Sequence, residues 1–133
     1  MSMMDQKHWL EKFSWDVIVE MNRQACQAGK VVHEPKPEGH DQTRATWETA
    51  MGREQTFREA VEVCRECHRL APFRYFNGNT FAGIARVLSQ EVCKGMGPTK
   101  ALMFRNAVGH YVAGVIGSEE FDQVSGRIMA EQK

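Results

Sequence analysis

The sequence predicts an all-α fold: a single-domain bundle of about five helices, with the fourth, at about 98–116, central. Three observations carry this expectation. Apolar residues recur at three- and four-residue steps along five stretches. Glycine and proline punctuate the intervals, and no stretch alternates with the two-residue period of a strand. With 42% apolar and 26% charged residues the chain has an ordinary globular balance, and 133 residues suffice for one core without disulfide or metal staples.

In the first stretch, from Asp5 to Ala28, the stripe is Leu10, Phe13, Val17, Met21 and Ala25, and Gly29 is the stop signal. Pro35 and Pro37 then make residues 30–42 an exposed connector, since proline neither continues a helix nor donates an amide hydrogen. The second stretch opens near Asp41 or Thr43 and runs to Leu70, with Trp47, Ala50, Phe57, Val61 and Cys64 on one face and Gly52 a possible break. Its opposite face is charged, with Glu54–Arg58, Glu62–Arg65 and Glu66–Arg69 spaced to pair.

After a connector at 71–80, Asn79 or Thr80 is expected to cap a third helix with Phe81, Ile84, Leu88 and Val92 on its face. The fourth follows Pro98, with Ala101, Phe104, Val108, Tyr111 and Val115 as its stripe, and Gly109 and Gly114 allow close approach of a neighbour. Ser118 then caps a fifth, whose buried edge is Phe121, Val124 and Ile128.

Composition excludes several classes. Seventeen basic against seventeen acidic residues give no net charge, so no global field draws the chain to nucleic acid or anionic lipid. Charges in MSMMDQKHWLEKF interrupt any secretory core, and the uncharged run from Asn106 to Ser118 is too short to span a bilayer. A cytoplasmic protein with no membrane partner is the expectation, and in that compartment the four cysteines are free thiols or metal ligands.

Among residues with chemical potential, Cys64-Arg-Glu-Cys67-His68 has the spacing of covalent haem attachment, but that chemistry follows export, and the thiols fall late in a helix rather than at an activating N-terminus. Cys64, Cys67 and His68, with Cys93 from the next helix, instead form an alternative zinc set, against the simpler expectation of packed thiols and no cofactor.

The connector Ala71-Pro-Phe-Arg-Tyr-Phe-Asn-Gly-Asn-Thr80 mixes aromatic, amide and cationic side chains. Arg74, Tyr75, Asn77 and Asn79 are therefore expected to contact a partner, while Phe73 plugs the core and Gly78 supplies a positive φ. The stretch is similar to the loop of Fic-type nucleotidyl transferases, in which a Pro-Phe and a Gly-Asn also join two helices. Ala71 stands where that motif has its catalytic histidine, and Thr80 or Phe81 stands where it has an arginine, so the resemblance implies no such activity. Trp9 and Trp15 cannot both lie on the core stripe of the first helix, which leaves one for a partner or for self-association.

No Ser/His/Asp set and no phosphate-cradling glycine loop is present. The sequence thus points to a helical protein-interaction or regulatory module rather than an enzyme. A metal- or thiol-dependent protein is the alternative, and a binder or enzyme of an anionic small molecule at 71–80 is the third reading.

Overall fold

Six helices follow one another in the computed structural model, which describes residues 3–130. They are α1 (Trp15–Ala28), α2 (Pro37–Met51), α3 (Phe57–Leu70), α4 (Asn77–Val92), α5 (Pro98–Val112) and α6 (Ser118–Ala130). Among the described residues there is no strand, and β-type pairing is confined to isolated bridges at Lys7–Gln55 and Pro35–Phe73. The fold is the expected all-helical bundle. Its centre is shared by α4, packed on α1, α3 and α5, and by α5, packed on α3, α4 and α6.

Local chemistry sets the boundaries. The Ser14 side chain accepts from Val17 N–H, so α1 starts at Trp15 and not near Asp5. Residues before it are held by a reciprocal pair of bonds between Lys7 and Gln55, with Leu10 fully buried. α2 begins at Pro37, inside the connector expected over 30–42, because a proline in the first helical turn sacrifices no intrahelical bond. Gly52 separates α2 from α3, and a Thr56/Glu59 capping box restarts the chain. Since Glu54 lies outside α3, Arg58 pairs instead with Glu62 and Asp122, while Glu66–Arg69 forms as expected.

α5 ends at Val112, four residues before the expected end. Gly114 takes φ of 78° with no neighbour near its missing Cβ, so it turns the chain rather than admitting a helix, and Val115 is left exposed. Gly109 does meet the expectation of close packing, because the Arg86 guanidinium of α4 lies where its Cβ would be.

The tightest backbone approach is at Gly39, where a Cβ would fall well under 3 Å from the Leu70 carbonyl oxygen. Gly39→Ala is expected to lower stability by about 1–3 kcal/mol, because a carbonyl at a helix end cannot step aside as a side chain can. Gly83→Ala, in mid-helix with open space around it, should raise stability by about 0.5–1 kcal/mol. Urea midpoints of the two variants moving in the same direction would contradict this packing.

Candidate functional site

The two connectors, read separately in the sequence, meet in space. Lys36 N–H donates to the Pro72 carbonyl at 2.8 Å and Arg74 N–H to the Glu34 carbonyl at 3.0 Å, a short antiparallel clasp about Pro35 and Phe73. Both ends of the second connector carry positive φ on non-glycine residues, Ala71 at 51° and Phe76 at 61°. Gly78, expected to supply that conformation, is inside α4 instead. Such backbone is costly by about 1–2 kcal/mol per residue and persists where surrounding contacts over-determine it.

Those contacts begin with Phe73, 1% exposed, whose ring stacks on Trp15 at 6.0 Å and lies within 6.0 Å of both His33 and His40. Behind this aromatic layer sits Asn22, fully buried on α1. Its amide nitrogen donates to the Tyr75 carbonyl at 2.7 Å and to Thr80 Oγ1 at 3.2 Å. Its oxygen lies 2.9 Å from His33 Nδ1 and accepts from the Cys26 thiol at 3.5 Å. An oxygen facing that imidazole nitrogen requires it to carry hydrogen, so Asn22 ties α1, both connectors and α4 together with every polar atom engaged.

Over this base the side chains divide. Arg74 and Tyr75 are exposed, with the guanidinium 3.1 Å from Glu34 and 5.6 Å from the Tyr75 ring centroid. Glu34 raises the Arg74 pKa, chiefly through that hydrogen bond. Val31 and Val32, in the first connector two and three residues before Glu34, are also exposed. Asn77 is inward-turned, accepting from Phe73 N–H and donating to the Phe73 carbonyl, so it shapes the turn and is not free for a partner. Asn79 remains exposed, and Phe76, not Asn79 or Thr80, stands at the cap position of α4.

The tryptophan expectation is overturned. Trp9 and Trp15 are both buried, at 5% and 4% exposure, because Trp9 precedes the helix and is not bound by its wheel. Trp9 packs edge-on against Phe57, and Trp15 lies under the connector clasp. His110, near the end of α5, is exposed.

The zinc alternative finds no geometry. Among the described residues no three His, Cys, Asp or Glu side chains converge as a metal would need. Cys64 and Cys67 are fully buried, and burial pushes the Cys64 thiol well up and the Cys67 thiol to about 12. Burial also lowers the His68 pKa. A thiol-specific disulfide reagent at pH 8 is accordingly expected to modify Cys93 first and Cys26, Cys64 and Cys67 only on unfolding. Rapid modification of Cys67 in the folded protein would contradict this placement.

A concavity of about 630 Å³ runs along α3 beside Val112 and Gly114. Its cations are already engaged, Arg65 over the Tyr111 ring at 4.2 Å and Arg69 with Glu66, which leaves the connector clasp as the better candidate. No helix among the described residues is long and apolar enough to cross a membrane. Comparison of the chain with protein-family models, with curated proteins and with solved structures finds no match.

Proposed function

We propose that this chain is a protein-interaction module that docks a partner protein on the clasped connectors, through Arg74 and Tyr75 of the second and the exposed Val31 and Val32 of the first. The observation that carries the proposal is the contrast between layers. The backbone of the surface is fixed by two inter-connector hydrogen bonds, the Asn22 hub and a buried aromatic layer, while its outward side chains serve no core. A surface ordered before binding pays little conformational entropy on docking, and exposed tyrosine and arginine are the side chains most enriched at binding hot spots. The Arg74–Glu34 pair is solvent-exposed and contributes little to the fold, so it is available to exchange Glu34 for an acidic group of the partner.

A photo-crosslinking amino acid at position Tyr75, in the protein expressed in its own cells, should give one discrete protein adduct. The same group at Leu102, 53% exposed in the first turns of α5, which follows the opposite end of α4 from the connectors, should not. Identical adduct patterns from the two positions would refute the assignment.

A further inference from the structure

A second groove, of about 560 Å³, lies between the segment before α1 and the later half of α4, away from the connector clasp at the start of that helix. Its apolar lining is Trp9, Phe13, Val87 and Leu88, of which Val87 is 46% exposed, and polar His8 and Gln90 stand beside them. Its rim is cationic, carrying Lys7, Lys12 and Lys94 against Glu11 and Glu91. Lys7 stands 4.3 Å from the Trp9 ring centroid and pairs with Glu91 at 2.7 Å, while Lys12 and Lys94 act on Glu91 only through space.

We propose that this groove binds a small amphiphilic carboxylate, its apolar body on Trp9, Phe13, Val87 and Leu88 and its charge between Lys12 and Lys94. The size suits a small-molecule site, and an apolar strip around Val87 edged by a few charges is the mix such sites use to gain affinity and orientation. Charge selects the ligand class. Three ammonium groups against two carboxylates leave a local positive excess on a chain with no net charge, so an anion is favoured over a neutral or cationic amphiphile of the same shape. Lys12 and Lys94 supply that excess without surrendering the Lys7–Glu91 pair that holds the N-terminal segment to α4.

The test is calorimetric titration with octanoate, octanol and octylammonium, which share a chain and differ in charge. Octanoate is expected to saturate with a Kd below about 1 mM, and the other two to bind at least tenfold more weakly. Lys12→Ala with Lys94→Ala should weaken octanoate binding at least tenfold, and Val87→Asp should abolish it, both with an unchanged melting temperature. Octanol binding as tightly as octanoate would overturn the charge selection. Absence of saturation, or octanoate affinity indifferent to both sets of substitutions, would overturn the site.

Discussion

Phe73→Ala is expected to destabilise the protein by about 3–5 kcal/mol, a large share of the stability of a domain this size. The ring is 1% exposed and stands among Trp15, His33 and His40, so its removal opens a cavity bounded by three rings that cannot collapse together. The connector backbone is also anchored there, since Phe73 N–H and carbonyl both bond to Asn77. Thermal melting should fall by at least ~10 °C. A shift of under ~3 °C would mean that the clasp is not built on Phe73.

Asn22→Leu should cost about 2–4 kcal/mol, although the two side chains match in heavy-atom number and branching and an apolar residue replaces a polar one in the core. The loss is chiefly of satisfaction, with the bulkier methyl groups adding a packing cost. Around this fully buried side chain the part-buried Tyr75 carbonyl loses its donor, and the His33 and Cys26 donors lose their shared acceptor; a group left unpaired away from water costs about 1–3 kcal/mol. Chemical denaturation measures it. A stabilised Asn22→Leu variant would show that the four-way hub is dispensable.

How much of this was legible in the sequence differs from helix to helix. The face of α4 was, because Phe81, Ile84, Leu88 and Val92 are apolar residues at helical spacing and all are buried; that of α5 was in part, with Phe104, Val108 and Tyr111 buried but Ala101 half-buried and Val115, past the helix end, exposed. The face of α1 was read in the wrong phase. Leu10, Phe13, Val17, Met21 and Ala25 are evenly spaced, but the buried face is Trp15, Ile18, Asn22 and Cys26, with Val17 40% exposed. The fully buried residue at the hub is an asparagine, invisible to a pattern of apolar residues, and the run N-terminal to Ser14 keeps helical spacing without being helix. Misphasing the helix is also what made Trp15 look available to a partner.

The connectors were legible one at a time. Proline, glycine and aromatic content marked 71–80, and the division into exposed Arg74 and Tyr75 over buried Phe73 and Phe81 is as expected. Their pairing was not, since the Pro35–Phe73 bridge joins residues far apart in the chain and no local spacing encodes it. Nor were the left-handed conformations of Ala71 and Phe76, because neither residue type favours them and only the tertiary contacts impose them.

The docking surface is tested most directly by crosslinking from Val32, 52% exposed and next in the chain to His33, which Asn22 joins to the Tyr75 carbonyl. In the otherwise unaltered protein, a photo-crosslinker at position 32 is expected to capture the same partner protein as one at position 75. Adding Arg74→Ala and Tyr75→Ala should cut that adduct at least tenfold while thermal melting moves by less than ~3 °C. Undiminished adduct from the doubly substituted protein, or its unfolding, would contradict the claim that these two side chains bind a partner and leave the fold to the residues beneath them.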